Sequence, residues 1–158
     1  MARFVRRRLL ALASVSVGAT YVGLTPAGPV FAITRLAGAR SAELASAVEA
    51  TIRRQLRAFR EGDAEAAFKI AAPFIQQKFR NPQLFMEMVR RGYPVIYQPA
   101  SVEFLDLTPL PDGSYSQLVQ MSDASAKIWM MEYLVSQDDH GNWRINGVQQ
   151  QKTRSNLI

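Results

Sequence analysis

The apolar residues of this 158-residue chain recur at steps of three and four as far as Tyr93-Pro94 and at steps of two beyond it, so helices come first and strands second. Leu44, Val48, Ile52, Leu56 and Phe59 lay one apolar stripe along a helix from about Ser41 to Arg60. Its acids, Glu43 and Glu49, sit toward the N-terminus and its arginines toward the C-terminus, as the helix dipole prefers. Gly62 stops this helix, and Asp63 caps a second in which Ala66, Ala67, Phe68 and Ile70 point inward until Pro73. A short turn of helix carrying Phe74, Ile75 and Phe79 follows. Asn81-Pro82 then supplies a cap and first-turn pair for a third helix bearing Leu84, Phe85, Met88 and Val89, closed by Gly92.

Beyond that point Val95 to Tyr97, Ser101 to Leu107, Tyr115 to Asp123, Lys127 to Ser136 and Trp143 to Gln150 read as strands. The connections are short enough for hairpins, so the sheet is expected to be an antiparallel meander. Amphipathic helices need an apolar surface to cover. The expected fold is therefore α+β, with three N-terminal helices packed on a curved antiparallel sheet of four to five strands. Lys127, Trp129, Met131, Tyr133 and Val135 alternate onto one face and Ile128, Met130, Glu132 and Leu134 onto the other, which marks a central strand apolar on both sides.

The N-terminal segment has a different character. Arg3 and Arg6 to Arg8 make a positive region, Leu9 to Leu24 is uncharged, and Val30-Phe31-Ala32 places small residues where a signal peptidase reads them. Residues 1–32 are read as a cleavable signal peptide, 33–40 as a linker, 41–150 as a single domain and 151–158 as a C-terminal tail. An uncleaved anchor is the rival reading. It is disfavoured because Ser14, Ser16, Gly18 and Thr20 dilute an apolar run already shorter than the roughly 20 residues of a membrane span. An organelle transit peptide is disfavoured by the compact apolar block, and Arg6-Arg7-Arg8-Leu9-Leu10 also resembles a twin-arginine export signal. The expected location is periplasmic or extracellular, without stable membrane insertion after cleavage.

Charge follows the same division. The chain carries a formal +6, but Arg3, Arg6, Arg7 and Arg8 supply four of its 19 basic residues, leaving 15 against 13 acidic ones from Ile33 on. So small an excess offers no broad field for a phosphate backbone, and nucleic acid is excluded as a partner. With no cysteine, the domain has neither disulfides nor thiolate chemistry and relies on its core alone. Hydrophobic and charged contents of 48% and 20% are those of a globular domain.

Helices followed by a bent antiparallel sheet resemble the cone of the nuclear transport factor 2-like superfamily. Several stretches are similar, more narrowly, to the bacterial domain of unknown function 4864 family: Ile52 to Phe59, Gly62-Asp63, Ala66-Ala67-Phe68, Ala72-Pro73, Phe79, Phe85, Met88-Val89, Arg91-Gly92-Tyr93-Pro94 and Gly141 to Val148. The superfamily resemblance implies a cone with a pocket, used for catalysis in some members and for binding in many. The narrower resemblance implies no activity.

Candidate chemistry is sparse. His140, the only histidine, lies in Asp138-Asp139-His140-Gly141-Asn142, which reads as a solvated hairpin turn. The spacing of those aspartates does not fit a calcium loop, and there is no glycine-rich phosphate loop. No metal, cofactor or catalytic residue is assigned. Arg53, Arg57 and Arg60, with Arg54 nearby, form a basic helix face, read as solvated with Glu49 pairing Arg53, although it could meet an anionic partner or lipid headgroups.

On the strands, Tyr97, Glu103, Trp129, Tyr133 and Trp143 are the expected ligand-pocket residues, and Glu103, Asp106, Asp123 and Glu132 are the carboxylates that could enter it. The favoured function is a non-enzymatic exported module that binds a small apolar ligand or a protein, with a homodimer through the sheet. The alternative is a small-molecule isomerase or hydratase using one pocket carboxylate as general base. That chemistry requires an apolar site to raise the carboxylate's pKa toward neutrality.

Overall fold

The structure, a computed structural model, describes residues 29–151; the expected signal-peptide core and C-terminal tail fall largely outside them. Five helices precede four strands: α1 Pro29–Glu61, α2 Ala64–Ile70, α3 Pro73–Phe79, α4 Pro82–Gly92, α5 Pro94–Tyr97, β1 Ser101–Pro109, β2 Tyr115–Ser122, β3 Ile128–Gln137 and β4 Trp143–Gln151. Among the described residues no helix is long and apolar enough to cross a membrane.

The α1 stripe works as its spacing dictates. Val48, Ile52, Leu56 and Phe59 are buried, and truncating a side chain such as Ile52 to alanine would cost roughly 2–5 kcal/mol. The helix starts earlier than Ser41, however. Residues 33–40, read as a linker, are helical and continuous with it, because Ala, Leu and Arg there sustain a helix and no proline intervenes. The expected cleavage point after Ala32 therefore falls inside α1.

Gly62 ends α1 in the left-handed region at φ 72°, where a side chain would be strained. Asp63 then caps α2, its Oδ1 accepting from Ala66 N at 2.9 Å. Asn81 caps α4 the same way, accepting from Gln83 N and Leu84 N. The short turn of helix expected around Phe74 is α3, begun by Pro73.

One expected strand is absent. Val95 to Tyr97 form the helical turn α5, closed by Ile96 N and Tyr97 N donating to Tyr93 O. Their β-branched character suggested a strand, but Pro94 fixes the first helical φ, and burial of Val95 and Ile96 against the helical layer outweighs propensity.

The remaining four strands form one open antiparallel sheet in the order β1-β2-β3-β4. Register irregularities at Phe104/Leu107 and Leu134/Val135 bend and twist it locally. The face carrying Val119, Met121, Met131, Tyr133, Val135 and Ile145 packs against the α1 stripe, with α5 close over β2. On the opposite face of β3, Ile128 is exposed and Met130, Glu132 and Leu134 are half-buried. The β4 edge is covered at Ile145: Ala71 bridges it, and Ala72 N donates to Ile145 O at 2.9 Å.

Candidate functional site

Where that cover ends, the helices and β4 part to leave a cleft of about 380 Å³. Pro73 turns the chain away from β4 and starts α3, which brings Phe74, Ile75 and Phe79 to one wall. Asn81-Pro82 then directs α4 back, so that Phe85, Met88 and Val89 form the facing wall. Phe59, Ile96, Ile145 and Val148 close the floor.

Phe85 anchors this arrangement, with ring centroids 5.4 Å from Phe68, 5.6 Å from Phe79 and 6.1 Å from Phe59. Tilted and edge-on aromatic contacts of this kind hold a wall in place beyond the area they bury. Polar groups are few. Gln55 is buried and its Nε2 donates to Ala67 O at 3.2 Å, Asn146 Nδ2 donates to Ser136 Oγ at 3.0 Å, and Lys78 stands at the rim. Phe74, 57% exposed, sits at the mouth.

The five residues expected to line a pocket do not share this cavity. Tyr97 packs on Phe59 at 6.4 Å. Glu103 is exposed on β1 and accepts from Gln120 Nε2 at 3.3 Å. Trp129 stands at the start of β3, its indole bonded to Asp123 and Lys127 over its ring. Trp143 stands at the other end of the sheet against Tyr115. Tyr133 is 1% exposed inside the core, and burial pushes its phenol pKa up.

The four carboxylates fare similarly. Glu103 and Asp106 are exposed. Asp123 is held at about 2, by the Ser125 hydroxyl first and the Trp129 indole next. Glu132 is held below its ordinary range by Ser116 Oγ, which donates at 2.5 Å, and by the amides of Gln149 and Gln151. Neither Asp123 nor Glu132 has the raised pKa that an apolar site gives a general base.

His140 lies exposed in its turn, its backbone N–H donating to Asp138 Oδ1 at 3.0 Å. Among the described residues no His, Asp or Glu cluster is suited to a metal ion. Arg53 behaves as read from the sequence, 3.5 Å from Glu49, and its guanidinium also covers the Phe104 ring at 4.3 Å.

The apolar cleft escaped sequence reasoning because Phe74, Ile75, Phe79, Phe85 and Met88 look the same whether a core or a cleft receives them. Their spacing carries no signal that separates the two.

Helices followed by an open antiparallel meander, with an apolar cleft between the two, define an α+β domain. The chain belongs to the family described as Domain of unknown function (DUF4864), which it matches over residues 41–158. It matches no curated protein and no solved structure.

Proposed function

We propose that this chain is an exported, non-enzymatic module that holds a small apolar ligand in the cleft between α3, α4 and β4. The observation that carries the reading is the cleft itself: about 380 Å³, walled by Phe, Ile, Met and Val, with Gln55, Asn146 and Lys78 to orient a polar end. The arginine-rich start and uncharged run before Ala32 support export, and the order of helices and strands is the one the cone-fold resemblance implies. An isomerase or hydratase finds no support in the carboxylates, since the two with shifted pKa values are shifted the wrong way for a base.

Enclosing about 300 Å² of ligand surface at ~25 cal/mol/Å² gives about 7 kcal/mol before association costs. Affinity for a simple neutral ligand is thus expected to be micromolar or weaker. The test is a titration with the neutral fluorophore N-phenyl-1-naphthylamine. The parent chain is expected to enhance its emission saturably, and Met88→Trp, which fills the cleft, to abolish that. Equal enhancement by the Met88→Trp chain would exclude this cleft as the site.

A further inference from the structure

Arg54 and Arg57 of α1, Lys69 of α2 and Arg144 of β4 line a second cleft of about 610 Å³, with Trp143 on its wall and Glu61 the one acid among its lining residues. Ala71–Ile145, the bridge that covers β4, divides the two clefts. Lys69, Ile70 and Asn142 to Arg144 serve this one, whereas Ala71, Phe74, Ile145 and Asn146 serve the apolar one.

We infer that this second cleft binds a phosphate-type oxyanion; the inference does not depend on the apolar cleft having a ligand. Among the described residues only Arg144 of the four cations has an ion-pair partner, Asp138 at 2.8 Å. Four cations against Glu61 and Asp138 leave an excess of two, as large as the excess of 15 basic over 13 acidic residues in the entire chain beyond Ala32. A helix face that merely stays wet spreads its charges; gathering them in a concavity raises their mutual repulsion, which a bound anion relieves.

The donors are also positioned. Arg144 gives its Nε–H to Asp138 and one Nη1–H to the Lys69 carbonyl, and its side chain is only 21% exposed. A guanidinium has five N–H donors in a fixed fork, so Arg144 is held by two and keeps others for a planar or tetrahedral oxyanion. Trp143 is fixed edge-on to Tyr115, with ring centroids 5.7 Å apart. Lys69 and Arg144 lie 75 residues apart, so only the folded chain assembles this set.

Pyrophosphate titrated into the full chain at constant ionic strength, followed by the indole N–H resonance of Trp143, tests the site. A saturable shift is expected. The exposed pair Arg57→Gln with Lys69→Gln should weaken it at least tenfold while leaving the thermal midpoint unchanged. Sedimentation with phosphatidylglycerol vesicles, against phosphatidylcholine, separates the sources of the anion. Binding to free pyrophosphate that the double variant loses upholds a soluble phosphate compound. Vesicle binding alone, lost in the same variant, upholds a lipid headgroup. No saturable response to either, or equal responses in parent and variant, overturns the proposal.

Discussion

The indole Nε1 of Trp129 donates to Oδ2 of Asp123 at 2.9 Å, across the turn that joins β2 to β3. Oδ1 of Asp123 meanwhile accepts from the Ser125 hydroxyl at 2.6 Å and from the backbone of Ser125 and Lys127. One carboxylate thus ties both ends of the turn, and its pKa falls from 3.8 to about 2. Because the folded pKa lies below the unfolded one, this contribution to stability is complete above pH 4 and disappears as pH falls toward 2. Asp123→Asn is therefore expected to melt earlier than the parent at pH 7. The gap between their melting temperatures should narrow from pH 4 downward and close near pH 2. A gap of equal size at pH 2 and pH 7 would show that the ionised carboxylate is not what holds the turn.

Tyr133 has a different problem: its ring is well placed in the core, but its hydroxyl is buried without a hydrogen-bond partner among the described residues. An unsatisfied buried hydroxyl costs about 1–3 kcal/mol. Tyr133→Phe keeps the ring and removes that cost, so it is expected to raise stability by about 1 kcal/mol in urea unfolding, with an unchanged denaturant slope. Destabilisation by this substitution would mean that the hydroxyl has a partner.

Glu132 provides a direct check on whether a strand carboxylate is poised as a general base. Ser116 Oγ donates to one of its carboxylate oxygens, and Gln149 and Gln151 donate to the other. All three bonds favour the charged form, so Glu132 should titrate below 4.5 when its carboxyl carbon is followed by NMR. A midpoint near neutrality would restore it as a candidate base.

The sequence exposed most of the architecture and little of the site, for a physical reason. Period and capping are local: Val48, Ile52, Leu56 and Phe59 mark α1, and Asp63 and Asn81 begin their helices as their positions imply. The turn residues likewise delimit β2, β3 and β4 to within two residues. Where local signals conflicted, as between Pro94 and the β-branched Val95-Ile96, packing against the helical layer decided. Met86, buried on α4 though outside the apolar set read from the sequence, shows the same limit. Both clefts depend on long-range pairing. The bridge from Ala71 to Ile145 determines which side of β4 each neighbouring residue serves, and no spacing along the chain contains that information. Hence Arg57 was visible as part of a basic stripe, but its meeting with Lys69 and Arg144 was not.

Asn81 connects local capping to the apolar cleft. Its Oδ1 accepts from Gln83 N at 2.8 Å and Leu84 N at 3.0 Å, and the helix it begins carries Phe85, Met88 and Val89 into the cleft wall. Replacing an Asn cap with Ala typically costs about 1 kcal/mol. Part of that loss should appear as fraying of the first turn of α4, immediately before Phe85. Asn81→Ala is thus expected to lower stability by about 1 kcal/mol and to weaken N-phenyl-1-naphthylamine binding severalfold, while Asn81→Asp, which can accept the same two bonds, restores both. Urea unfolding and the fluorophore titration measure the two effects on the same samples. Lost stability with unchanged fluorophore affinity would detach α4 from the ligand site and leave Asn81 with a purely structural role.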